Sequence, residues 1–314
     1  MTNSLKILLK TPTWFTIILG LSLLIWQVFG GMISQNVQVM FFATLILLTG
    51  IPHGSLDHLV QEAHDKRQNK VYNFAKFIVQ YLLIMAIYAL AWYFFAGLSL
   101  MVFIIISAWH FGETDLENVP PPSKLWSFTR LVYGFYILAF ILLTHVEEVN
   151  PIVQGMIRRQ DKAIATWNFI QQNTKQILYL FGLLLCTIFI VAQSEYFVVF
   201  NKIRIFRLFL ILFLSAFLPL LPAFALYFGG WHALCAFDNI HEYLQKDYPT
   251  LTLKSIYLKS LPFSVLAFIF LGIFLWYCHN YTQFYNPFPI LFIFISLITL
   301  PHLVIASRMN NSSK

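Results

Sequence analysis

The sequence predicts an all-α, polytopic transmembrane bundle of about eight to ten helices, in one domain over residues 1–314. Three observations carry this reading. Hydrophobic residues make up 59% of the chain and charged residues only 11%, with a mean hydropathy of +0.72, whereas a soluble domain carries about 25% charged residues. Apolar runs near 20 residues, the length that crosses about 30 Å of hydrocarbon as a helix, recur from end to end. No large soluble insert separates them. A closed barrel, the other spanning solution, needs short alternating strands, and none are present.

The candidate spans come in order along the chain. Residues 12–33 come after Lys6 and Lys10 and lack a small-residue cleavage site, so they read as a retained first helix and not a signal peptide. Residues 36–59 succeed them so closely that the two form a hairpin. The polar loop "QEAHDKRQNK" leads to 72–95, and then comes 97–116. A stiff "PPPS" loop at 120–123 opens 126–145. The stretch 146–175 is long enough for an amphipathic surface helix. Then come 176–196, a second tight pair at 203–221 and 222–245, and finally 257–279 and 286–307.

Basic residues orient these spans. Lys66, Arg67, Lys70, Lys124, Arg130, Lys202, Arg204, Arg207, Lys246, Lys254, Lys259, Arg308 and Lys314 fall on the side of the N-terminus, while the loops near 34, 96, 221 and 282 have no basic residue. Only 146–175, with Arg158, Arg159, Lys162 and Lys175, opposes the pattern. Both termini are therefore expected in the cytoplasm, in a multi-pass protein of the cell membrane. The net charge of +7 is spread over short loops, which fits topology signals and not nucleic-acid binding. Cys186, Cys235 and Cys278 lie in apolar segments without a CxxC spacing and read as small buried residues. No G-x-G-x-x-G, P-loop or H-E-x-x-H occurs, and "IHEYLQ" ends in Gln245 where a zincin needs histidine.

Seven of the nine histidines fall into two groups. His64 lies in a polar loop, and His145 and His279 end helices at the interface. His53, His110, His232 and His302 instead fall well inside the second, fourth, eighth and tenth spans. These four spans run in the same direction, so at 1.5 Å per residue the imidazoles share a slab roughly 15–25 Å below the outer face. Ionisable groups inside a membrane are functional candidates, and helical bundles build metal sites from side chains on facing helices. The local words are "PHGSLDH", "WHFGETD", "GGWHALCAFD" and "LPHLV". Pro52 and Pro301 remove hydrogen bonds to the carbonyls of Leu48 and Leu297 and loosen those turns. Gly54, Gly112, Gly229 and Gly230 permit close helix approach. Asp57, Glu113, Asp115 and Asp238 lie near the same level. Asp57, four residues after His53, is expected to orient it.

Imidazole suits iron, zinc, copper and nickel. An all-nitrogen site in lipid fits O2 chemistry on an apolar substrate, and Phe-rich segments are available to wall a tunnel. Other readings are histidines that merely hydrogen-bond between helices, and a haem clamped between them. Zinc transport would need a continuous polar pathway, which the odd-numbered spans do not provide.

Taken together in order and spacing, these words resemble the Brp/Blh family of membrane β-carotene 15,15′-dioxygenases. The resemblance implies a non-haem Fe2+ held by histidines from several helices. It also implies splitting of β-carotene at its central double bond, with O2, into two retinals, and a functional link to a microbial rhodopsin that uses the retinal. Carried over by position, the metal histidines, and with them the catalytic centre, are His53, His110 and His232. The family pattern continues from the eighth-span Trp-His to a second histidine four residues on, where this chain has Ala236. His302 is the expected substitute ligand, with His58 and then His241 behind it. A catalytically inactive carotenoid- or retinoid-binding homologue is the alternative that Ala236 raises.

Overall fold

The computed structural model describes residues 13–116, 123–157, 160–281 and 286–312. Lys6, Lys10, Pro120–Pro122, Arg158, Arg159 and Lys314 lie outside these, as do the side chains of Cys278 and His279. Among the described residues, twelve helices succeed one another: α1 (Thr13–Gly30), α2 (Gln35–Arg67), α3 (Phe74–Phe94), α4 (Ala96–Asp115), α5 (Lys124–Thr144), α6 (Val146–Ile157), α7 (Asp161–Gln172), α8 (Thr174–Glu195), α9 (Lys202–Phe217), α10 (Leu220–Gln245), α11 (Leu253–Tyr281) and α12 (Pro287–Ser312). The same residues contain no strand. Nine of these helices are long and apolar enough to cross a membrane, which is the build of a multi-pass membrane protein.

The exception among the ten expected spans is the seventh. Its helix, α9, has 16 residues, about 24 Å, because Leu218 and Pro219 are both extended (ψ 157° and 159°). A residue before proline is driven out of the helical region, so the chain turns at Pro219 and α10 begins at once. The long polar stretch 146–175 also differs from expectation. It folds into two helices, and α6 buries Val149, Ile152, Val153, Met156 and Ile157 against the bundle.

Side chains set where the helices start. Asn73, Ser123 and Asn201 cap α3, α5 and α9 by accepting hydrogen bonds from backbone N–H groups of the first turn. At the opposite end of the bundle, near Phe95, α6 and α7 form a roof over the starts of other helices. Gln160 accepts from the Gly97 N–H of α4 and donates to the Phe94 carbonyl. Glu148 accepts from the Leu220 N–H that opens α10. Gly155 sits against Pro289 of α12. Trp167 ties the two roof helices together through the Asn150 amide oxygen, at 2.8 Å.

The centre is α10, which is buried along most of its length, while α8 and α11 turn most of their apolar surface outward. Two π turns, Ile46–Gly50 in α2 and Phe228–His232 in α10, lie side by side in this centre. A π turn departs from the regular helical ladder. Here, hydroxyls bind carbonyls of the α10 turn: Thr49 donates to Gly229 O at 2.8 Å and Thr16 to Gly230 O at 3.0 Å. The π turn of α2 comes just before Pro52, whereas Pro301 lies inside an unbroken α12.

The tightest contact is between α4 and α5, where a Cβ on Gly134 would collide with the carbonyl of Ala108. Gly134→Val is therefore expected to force the two backbones apart and to cost about 3 kcal/mol or more. Thermal unfolding of the detergent-solubilised protein measures this.

Candidate metal centre

His53, His110, His232 and His302 meet between α2, α4, α10 and α12, and all four are buried. His53, His110 and His232 each offer one ring nitrogen, and these atoms lie within 4.8 Å of one another. Nitrogens bound at about 2.1 Å from one ion stand at most about 4.2 Å apart, so a separation of no more than 4.8 Å is close to what one ion needs. His302 is the fourth wall, its ring centroid 5.1 Å from His53 and 5.0 Å from His110. Phe111 and Phe228 pack on His232 at centroid distances of 4.5 and 5.8 Å, so aromatic rings exclude water from that side.

Hydrogen bonding decides what this cluster is suited to hold. Six ring nitrogens are buried without a partner: one on His53, two on His110, two on His232 and one on His302. A buried polar atom left unpaired costs about 1–3 kcal/mol, and native structures leave few. Histidines that served only to bond helix to helix would have used these nitrogens. His145 shows the contrast, since its two nitrogens meet the Ile141 and Leu218 carbonyls at 2.7 Å each. Unpartnered imidazoles converging from four helices fit a cation that prefers nitrogen ligands.

The partner of Asp57 differs from expectation. Asp57 accepts from His302 Nδ1 at 2.7 Å, not from His53. The helix of α2 breaks at Ser55 and Leu56 (ψ −7° and −1°), so the four-residue phase from His53 is lost and Asp57 faces α12. In the neutral ring this bond places the proton on Nδ1, which leaves Nε2, buried and without a partner, as the acceptor nitrogen. The Tyr81 hydroxyl donates to the other Asp57 oxygen at 3.2 Å.

Asp115 holds the far side. Its Oδ1 accepts from Trp231 Nε1 at 2.8 Å, and its Oδ2 accepts from the hydroxyls of Tyr133 at 2.8 Å and Tyr227 at 3.0 Å. Trp231 precedes His232, so Asp115 ties the α10 π turn to α4 and α5. The acid is visible in the sequence at this level, but its three donors are not, because they come from two other helices. Glu113 and Asp238 line neither of the two cavities described beside the histidines.

The other two candidate substitutes for Ala236 are engaged elsewhere. His58 Nδ1 lies 3.1 Å from the Ser55 carbonyl, with its ring against Phe263. His241 Nε2 lies 3.0 Å from the Leu251 carbonyl. His302 borders the cluster, with its ring beside those of His53 and His110, while the nitrogens within 4.8 Å of one another are those of His53, His110 and His232.

All four rings border a cavity of about 1090 Å³, above the ~300–1,000 Å³ usual for small-molecule pockets. It is walled almost wholly by apolar side chains and runs along α4 from Gly97 to His110, about 20 Å by helical rise. The roof helices close it near Phe95 through Val149, Met156 and Trp167. Leu98, Met101, Leu266 and Phe270 border it and are also exposed on the flank of the bundle. An apolar molecule therefore has a path from the side.

The sequence profile of the β-carotene 15,15′-dioxygenase family matches residues 44–310. The chain belongs to this family. A β-carotene 15,15′-dioxygenase from an uncultured marine bacterium, 66A03, is 25% identical over 204 residues, which cover 64% of this chain and 69% of that one. No solved structure matches. All four clustered histidines fall inside the part matched to the dioxygenase family, and so do Asp57 and Asp115.

If Asp57 orients His302, Asp57→Ala weakens metal binding about 10–100-fold, as losses of such partners do. His241→Ala leaves it unchanged. Titration of the metal-stripped protein with Fe(II) checks both.

Proposed function

We propose that this chain is an iron-dependent dioxygenase that splits β-carotene at its central 15,15′ double bond, with O2, into two retinals. The observation that carries this reading is the six unpartnered imidazole nitrogens on the wall of a long apolar cavity open to the flank. His53, His110, His232 and His302 would hold Fe2+. When bound, the ion would supply O2 activation.

The protein's own contribution is positional. Asp57 keeps His302 in one tautomer, and Asp115, through Trp231, holds the turn that carries His232. The apolar walls align an extended polyene beside the histidines and keep water away. The reading uses no acid–base pair, in keeping with a cavity walled almost wholly by apolar side chains. A haem fits less well, because three nitrogens gathered from different helices within 4.8 Å leave no plane for a macrocycle.

The reading places the protein in the cell membrane with both termini in the cytoplasm and the roof of α6 and α7 outside. The retinal it releases would serve a microbial rhodopsin.

Expression in a carotene-producing bacterium tests the proposal. Retinal is expected in extracts, and about one iron per chain in the purified protein. His53→Ala, His110→Ala and His232→Ala should each lower retinal below ~1% of wild type, a greater loss than the ~10–100-fold expected of an outer partner. Unchanged carotene, no retinal and no bound iron would instead favour an inactive carotenoid-binding homologue.

A further inference from the structure

A second, much smaller chamber lies on the other side of the histidine cluster. It has a volume of about 20 Å³ and is bordered by Asp57, His110, Thr114, Ala236, Asn239 and His302, with apolar residues closing the rest. His110, His302 and Asp57 border both spaces, so they form a partition. The large space is apolar. The small one gathers a carboxylate, a hydroxyl, an amide and two imidazoles.

The volume suits one water, which needs at least ~10–15 Å³ and two to four polar partners. Asp57 and Thr114 have spare acceptor capacity: each Asp57 oxygen accepts one bond, and Thr114 Oγ1 donates to the His110 carbonyl, leaving its lone pairs. Asn239 offers both a donor and an acceptor.

His110 gives the chamber its significance. Both of its nitrogens are buried and unpartnered. If one faces a metal, the other carries a proton that a ligating histidine almost always donates to a carboxylate, a carbonyl or a water. His302 has Asp57 for this purpose. Among the described residues, no protein group plays that part for His110. Ala236, with its single methyl, keeps the space beside the ring open.

We propose that this chamber holds one water molecule, which accepts the outer N–H of His110 and is itself held by Asn239 and Thr114. The inference rests on the reading of the cluster as a metal site. It adds that the ligand shell is completed from the side opposite the carotenoid cavity by solvent, not by protein.

Two measurements on the full-length protein test it. The first is Fe(II) affinity of the metal-stripped protein. Ala236→Leu, which fills the chamber, should weaken binding about 10–100-fold. Asn239→Ala, which removes a partner of the water and adds no bulk, should weaken it in the same direction, and Ala236→Ser should match the wild type. The second is a structure of the metal-free wild type that resolves waters, in which density is expected between Asn239 and His110. Wild-type affinity in both Ala236→Leu and Asn239→Ala, or a chamber without density, would overturn the inference. If the wild type binds no iron, the iron reading falls, and the density alone still decides whether the water is there.

Discussion

Hydrocarbon gives a polar atom nothing to bond with, so every polar side chain inside this bundle needs a partner from the protein or from a ligand. The arrangement of the interior reflects how that demand is met. Thr16 and Thr49 take carbonyls of the α10 π turn. Asp115 collects an indole and two phenols, and Asp57 takes His302 and Tyr81. Among the described residues, six buried atoms without a partner gather at one place, the nitrogens of four imidazoles. A protein built for stability alone would put apolar residues there, so the concentration of cost marks the site.

The two π turns show how backbone irregularity serves the same end. They stand next to each other, directly before His53 and ending at His232. An extra residue in a turn shifts the phase of the residues downstream by a large fraction of a helical turn. That shift brings the two rings to a centroid distance of 5.5 Å. Glycines at 229 and 230 permit it, because any side chain there would meet Leu45 or Thr16.

Much of this is legible in the amino-acid order. Apolar length locates the spans, and counting residues along them places four histidines at one depth, where the structure gathers them. The features that elude the sequence depend on local breaks in periodicity. Helical phase assigns Asp57 to His53, and the turn at Ser55 and Leu56 removes that phase. The seventh span has the apolar length of a full crossing, although Pro219 ends its helix early. The stretch 146–175 looks like a surface feature because its charges hide a buried stripe, Val149, Ile152, Val153 and Met156. The donors to Asp115 come from chain positions up to 116 residues away, a pairing that no spacing rule encodes.

The bond between His302 and Asp57 joins positions 245 residues apart, and Pro289 at the start of the same last helix seats the roof at Gly155. Contacts of such long range form only when the late part of the chain is present. During synthesis, His53, His110 and His232 can already be in the membrane while the fourth wall of their site is still to be made. The order of translation thus keeps the centre unfinished until α12 arrives, and that final insertion both encloses the cavity and brings in His302.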